Sequence, residues 1–251
     1  MPEWQAGSFQ FLNYFVQMKN LIIASTSTLH QGSYLDYLLP ELEVLYSETE
    51  EVLFIPYARP GGISHDQYTV KAAEAFKKIN KKVVGIHTFT NPVAAIKNAK
   101  AIFTGGGNTF VLVKALHELG VMQPLREVIF DGTPYLGTSA GSNICGPTMM
   151  TTNDMPIVYP PSFKTLGVIP FNLNPHYVDP DPNSKHMGET RETRIKEFHT
   201  QNTIPVLGLR EGSWLRVQGE EIVLEGTFTV RVFQQEKSAY EIESGTLIDY
   251  F

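Results

Sequence analysis

Over its first 140 residues the chain alternates short β-branched runs with helical patterns, and this alternation limits the fold more than any other feature. Strands are predicted over Leu21–Ser25, Val52–Tyr57, Lys82–His87, Ala101–Thr104 and Pro134–Gly137. Helical stretches lie near Ser33–Tyr46, Asp66–Ile79, Pro92–Ala99 and Thr109–Leu119, with another before Asp131. Within Thr69–Ile79, Val70, Ala73, Phe76 and Ile79 recur every third residue, which predicts one buried helix face. Strands this apolar, joined through helices, require a parallel sheet covered on both sides.

The alternation stops after the helix expected to follow Ser139. From Asn153 to His186 the chain is rich in proline and asparagine, with a brief extended piece at Phe171–Asn174. A helical stretch, Glu189–His199, then leads to a strand over Val206–Leu209. Residues 214–233 alternate with the period of antiparallel strands and turn at Gln218-Gly219 and Glu225-Gly226. The expected architecture is therefore α/β: a mostly parallel, flavodoxin-like central sheet flanked by helices, with a C-terminal antiparallel extension. Residues 19–251 show no repeat or linker and are read as a single domain. Residues 1–18 precede the first strand and are read as an N-terminal extension, most simply a partly ordered tail.

Composition narrows the partners. With a net charge of −6 and no basic block, the chain lacks the phosphate contacts of a nucleic-acid or anionic-membrane binder. No stretch approaches the ~18 apolar residues of a membrane span. The aromatic N-terminus lacks a signal peptide's basic region. The single cysteine, Cys145, rules out an internal disulfide and fits a reducing, cytoplasmic location. The aromatic N-terminal segment and the antiparallel C-terminal edge both offer interface surface, so a homodimer is admitted as an assembly.

Gly137-Thr138-Ser139-Ala140-Gly141 satisfies G-x-S-x-G between an apolar strand and a helical pattern. Ser139 would then stand at the carboxyl edge of the sheet, where open α/β folds bind ligands. A plain structural turn is the competing reading. Gly105-Gly106-Gly107 also follows a strand and opens a helix, so its backbone can approach a ligand closely. It could set one N–H opposite that of Ala140 to bind an oxyanion. Neither G-x-G-x-x-G spacing nor a Walker lysine accompanies it, which counts against a phosphate loop.

A serine nucleophile needs a base, and the base an orienting partner. Of the seven histidines, His87 ends a predicted strand and His176 follows a short apolar strand behind Pro175, so both are candidates. Asp154 and Glu211 each lie where a strand meets a loop, and spacing does not choose between them. Cys145 is read as a small buried residue in the helix after Ser139.

These segments together resemble the peptidase E family, aspartyl dipeptidases whose fold is similar to class I glutamine amidotransferases. The resemblance runs from Leu21 to Phe233. It takes in Ile55-Pro56-Tyr57-Ala58, Gly105 to Phe110, the serine pentapeptide, Thr151-Thr152-Asn153-Asp154-Met155-Pro156, Asn174-Pro175-His176, Gly188 to Glu192 and Gly208-Leu209-Arg210-Glu211-Gly212. It implies a serine-type dipeptidase that needs no metal or cofactor and cleaves Asp-Xaa dipeptides through an acyl-enzyme on Ser139. It further implies His176 as general base, Asp154 or Glu211 behind it, and the N–H groups of Gly107 and Ala140 as oxyanion hole. Arg191 would pair with the substrate's aspartyl carboxylate, and Gly106 and Asn108 would line the substrate. Arginine's planar fork suits that carboxylate. Thr138, Arg210 and the N-terminal extension depart from the family pattern, and Arg210 beside Glu211 complicates the choice of acid. Two other readings stay open: a cyanophycinase-like peptidase acting on β-aspartyl-arginine units, and a catalytically silent binding module of the same fold.

Overall fold

Strand order decides which loops meet at the edge of this fold. The computed structural model describes residues 18–181, 183 and 188–249. The N-terminal extension expected over residues 1–18 lies outside the described residues except for Met18. From β1 (Asn20–Ala24) the chain passes through α1 (Leu39–Leu45), β2 (Glu51–Ile55), α2 (His65–Lys77), β3 (Lys82–Gly85), α3 (Pro92–Asn98) and β4 (Ile102–Thr104). It continues through α4 (Thr109–Glu118), α5 (Met122–Phe130), β5 (Tyr135–Thr138), α6 (Ala140–Asn143), β6 (Asn172–Pro175) and α7 (Arg191–Phe198). The last strands are β7 (Val206–Leu209), β8 (Ser213–Gln218), β9 (Glu221–Gly226), β10 (Val230–Phe233) and β11 (Tyr240–Ile242).

Among the described residues the main sheet has seven strands in the order β3-β2-β4-β5-β1-β8-β9. The first five are parallel, and β8 and β9 are antiparallel additions beyond β1. A second sheet, β11-β10-β7-β6, pairs β6 and β7 in parallel and the others antiparallel. The antiparallel C-terminal run is thus divided. Its first two strands widen the main sheet, while β10 crosses to the second. β8 buries alternate residues, Ser213, Leu215 and Val217, as a strand near a sheet's margin does.

Helices cover both faces of the main sheet. Leu112, Val113 and Leu116 of α4 and Leu125 and Ile129 of α5 join one core. Leu42 of α1 and Tyr68, Ala72 and Phe76 of α2 join the other. Ser64 and Gln67 cap α2 reciprocally, each side chain accepting from the other's backbone N–H. The buried face of α2 differs from the three-residue spacing expected: Val70 is 57% exposed, and Tyr68, Ala72, Ala75 and Phe76 face inward. A strict period of three drifts around a helix of 3.6 residues per turn, whereas the i, i+4, i+7, i+8 set stays on one side.

The connections after β2 and β4 lead to helices on opposite faces, and so do those after β1 and β5. Two crevices therefore open at the carboxyl edge, one between β2 and β4 and one between β5 and β1. Among the described residues no helix is long and apolar enough to cross a membrane.

Candidate active site

Ser139 stands at the β5/β1 crevice with φ 55° and ψ −110°, a conformation that a non-glycine residue adopts only under constraint. Its N–H donates to Ala24 O of the neighbouring strand at 3.2 Å. A Cβ on Gly141 would lie 2.2 Å from Thr104 O, so the elbow closes against β4 only with glycine there. The helix that follows is shorter than expected. α6 ends at Asn143, and Cys145 lies beyond it, fully buried, with its thiol pKa pushed up by that burial. One turn of helix carries little dipole, so any help to an oxyanion comes from individual N–H groups.

The second sheet brings the base to the serine. β6 and β7 pair in parallel with Pro175 opposite Leu209, so His176 and Glu211 emerge side by side from adjacent strand ends. His176 Nε2 is 2.9 Å from Ser139 Oγ, and its Nδ1 is 2.6 Å from Glu211 Oε1. His176 also has positive φ, 55°. Its N–H donates to Ser25 Oγ at 2.9 Å, and Ser25 Oγ donates to Leu209 O at 2.7 Å. Asn153 Nδ2 donates to Pro175 O, and Asn174 Nδ2 to Asn153 Oδ1. Ser25, Asn153 and Asn174 were not singled out from the sequence. A small polar residue ending a strand, as Ser25 ends the first, was the available signal.

His87 and Asp154 lie elsewhere. β3 ends at Gly85, and His87 sits in a 3₁₀ turn at the far margin of the sheet, its Nε2 2.8 Å from Asp66. Asp154 does not reach His176. Its Oδ2 accepts from Thr109 N–H and Thr109 Oγ1, both at 2.7 Å, and from Thr152 Oγ1 at 3.1 Å. A carboxylate at the start of α4 meets unpaired N–H groups and the positive dipole end, and that claim on Asp154 outweighs a distant imidazole. Glu211 is the carboxylate beside His176.

The glycine loop lies against the serine. Gly107 has φ 145°, and a Cβ there would fall 2.2 Å from Ala58 O, so only glycine permits this path. Asn108 fixes the loop's end: its Oδ1 accepts from Val111 N–H, and its Nδ2 donates to Met155 O. Among the described residues the N–H groups of Gly106, Gly107 and Ala140 have no acceptor.

Arg191 opens α7 half-buried and makes no ion pair among the described residues. Burial and then the charge of Arg194 lower its pKa, while the charge of Asp154 opposes them. A guanidinium desolvated without a partner is suited to an incoming anion. Arg210, by contrast, is committed. It pairs with Asp179 and Glu241 at 2.8 Å each, and Arg231 links Glu241 to Glu192 of α7. The charge beside Glu211 is therefore neutralised within a network that joins the end of β7 to β10, β11 and α7.

The network has an acid signature. Desolvation pushes the Glu241 carboxyl up, but hydrogen bonds from Arg210, Thr229 and Arg231 together outweigh it and hold Glu241 down at about 2. A carboxylate depressed on folding stabilises fully above its unfolded value, ~4.3, and loses that contribution as pH falls toward the folded value. The urea-midpoint difference between wild type and Glu241→Gln is expected to be constant above about pH 5 and to vanish toward about pH 2. A difference that persists unchanged at pH 2 would exclude the charge as its cause.

Among the described residues no group of three or more His, Cys, Asp or Glu is placed to hold a metal ion. The family model described as Peptidase family S51 matches residues 21–225. A Streptomyces coelicolor protein named Peptidase E is 45% identical over 227 residues, covering 90% of this chain and 92% of its own. A Drosophila melanogaster protein named Probable alpha-aspartyl dipeptidase is 44% identical over 227 residues, covering 89% and 93%. The crystal structure of a peptidase from an acI-B1 Actinobacterium superposes with a TM-score of 0.70 at 15% identity, over 93% of this chain and 97% of that one. That last likeness concerns the fold alone.

Proposed function

The chain belongs to peptidase family S51, and from that premise we propose that it is a serine-type dipeptidase that hydrolyses Asp-Xaa dipeptides. One observation carries the reading: Ser139 Oγ, His176 and Glu211 form an unbroken hydrogen-bonded line at the carboxyl edge of the sheet. In the proposed reaction His176 Nε2 takes the Ser139 proton as Oγ attacks the scissile carbonyl. Glu211 accepts from Nδ1–H, fixing the tautomer and stabilising the imidazolium. The N–H groups of Gly107 and Ala140 receive the developing oxyanion. His176 then protonates the leaving amine, and water attacks the acyl-enzyme by the reverse proton path.

Arg191 selects the aspartyl side chain in this reading, and Gly106 and Asn108 shape the loop against which the substrate lies. Asp154 anchors that loop through Thr109. A silent binding module would have no use for the intact proton relay. A cyanophycinase-like substrate lacks support from relatives 44–45% identical over nearly the whole chain, whose names are Peptidase E and alpha-aspartyl dipeptidase.

A purified-protein panel of Asp-Leu, Asn-Leu and Ala-Leu tests the proposal. Asp-Leu should exceed the others in kcat/KM by roughly a thousand-fold or more, because a half-buried guanidinium without an ion pair among the described residues rejects the neutral isostere. Equal rates on all three would remove Arg191 from its role. Absence of turnover on every member would remove the dipeptidase reading.

A further inference from the structure

A second guanidinium stands beside the glycine loop, at the β2/β4 crevice. Arg59 follows Ala58, whose carbonyl oxygen accepts from Asn108 N–H at 2.7 Å, so the two loops are tied together. Its Cζ lies 4.6 Å from the ring centroid of Tyr68, which is fully buried. Arg59 is half-buried, its Nε is shielded from solvent without a hydrogen-bond partner, and it makes no ion pair among the described residues. Tyr68 Oη in turn donates to Gly106 O at 3.2 Å. Gly106 abuts the nucleophile: a Cβ built on it would sit 2.8 Å from Ser139 Cβ and 3.3 Å from Ser139 Oγ. Lys71 Nζ, 4.9 Å from the ring centroid of Tyr34, adds a second cation without an ion pair among the described residues on this side. Tyr34 and Tyr68 share a hydroxyl–hydroxyl hydrogen bond of 3.3 Å, which joins the two cation–aromatic contacts into one patch.

We propose that Arg59 binds the free α-carboxylate of the substrate's second residue. The inference rests on the dipeptidase reading and extends it. An Asp-Xaa dipeptide carries two carboxylates, one on the aspartyl side chain and one at its C-terminus. Arg191 is assigned the first in that reading, so Arg59, whose loop is tied to Asn108 of the glycine loop, is left for the second. The distances permit it. The two crevices are about two strand spacings apart, ~10 Å, and the terminal carboxylate lies about one Cα step, ~4 Å, from the reacting carbonyl. The remainder is within the sweep of an arginine side chain. Stacking on Tyr68 keeps the guanidinium at this crevice before substrate arrives, and a rotamer change carries it to the carboxylate. The consequence is a length rule: a tripeptide carries no carboxylate at that position, and the enzyme acts on dipeptides.

The test compares Asp-Leu with Asp-Leu-amide, which keeps the aspartyl carboxylate and loses the terminal one. Wild type should favour the free acid by roughly ten- to a hundred-fold in kcat/KM, the value of one charge-assisted hydrogen-bonded pair, and mainly through KM. In Arg59→Gln the acid should fall to within about three-fold of the amide, the amide rate staying near wild type, and preference for Asp-Leu over Asn-Leu should persist. Arg59→Lys, which keeps the charge without the planar fork, should retain an intermediate preference. Turnover of both substrates by wild type without preference would overturn the proposal with no variant needed. So would an Arg59→Gln effect equal on acid and amide, no effect on either, or a lost Asp-over-Asn preference, which would assign the guanidinium to the side chain. No turnover of either substrate would remove the dipeptidase reading, and this inference with it.

Discussion

Ser139→Ala is expected to lower kcat on Asp-Leu by about 10⁴- to 10⁶-fold and to leave KM and melting temperature close to wild type. The size of the loss follows from what remains. Without Oγ there is no acyl-enzyme, and any residual rate must come from water activated by His176 and polarised by the Gly107 and Ala140 N–H groups. The small change in stability follows from the local structure. The strained backbone at Ser139 is enforced by Gly141 against Thr104 O and by Ser139 N–H on Ala24 O, none of which involves the hydroxyl. Alanine adopts that backbone at the same cost as serine, about 1–3 kcal/mol. The side chain itself makes one hydrogen bond, to His176. Single-turnover kinetics on Asp-Leu, with a melting curve beside them, measure both. His176→Ala should cost nearly as much alone as the double variant does, since the two residues act as one unit. A residual rate within tenfold of wild type would place the nucleophile elsewhere.

Much of this site could be read from the sequence because its parts are local. The serine elbow and the glycine loop each follow an apolar strand within a few residues, and their spacing states the backbone geometry they need. His176 was legible for the same reason, as the turn after a short strand ending in proline. The choice between Asp154 and Glu211 was not. It depends on β6 and β7 being parallel neighbours in register, across a separation of 35 residues. No spacing rule encodes that pairing. Val70 is exposed because an interval of three residues drifts off the buried face of a helix, and the depth of burial along α2 is decided by its neighbours. Arg59 and Ser25 went unremarked because neither belongs to a motif. Their places become visible only when strand order sets the ends of β1, β2, β4 and β5 along one edge.

Glu211→Gln and Asp154→Asn are expected to fail in different ways, and the difference assigns the third member of the relay. Glu211→Gln should lower kcat by about 10²- to 10³-fold with KM near wild type. The amide removes the charge that stabilises His176 imidazolium, and it can turn its NH₂ toward Nδ1 and favour the wrong tautomer. The loss should be smaller than for a buried triad acid, because the Glu211 side chain is 46% exposed and water screens part of its field. Asp154→Asn acts on binding. It keeps an oxygen acceptor for Thr109 N–H and Oγ1 but loses the negative charge at the start of α4, costing about 0.3–1 kcal/mol of stability. It also loosens the glycine loop that Asp154 holds through Thr109, so KM should rise while the chemistry of bound substrate survives. A small neutral phosphonate separates the two effects, since it needs the activated hydroxyl and none of the substrate-binding charges. Its rate of labelling Ser139 should fall in Glu211→Gln in proportion to kcat and stay within a few-fold of wild type in Asp154→Asn. The reverse pattern would mean that Asp154 acts on His176 in the reacting enzyme, which would require the Thr109 contacts to break when substrate binds.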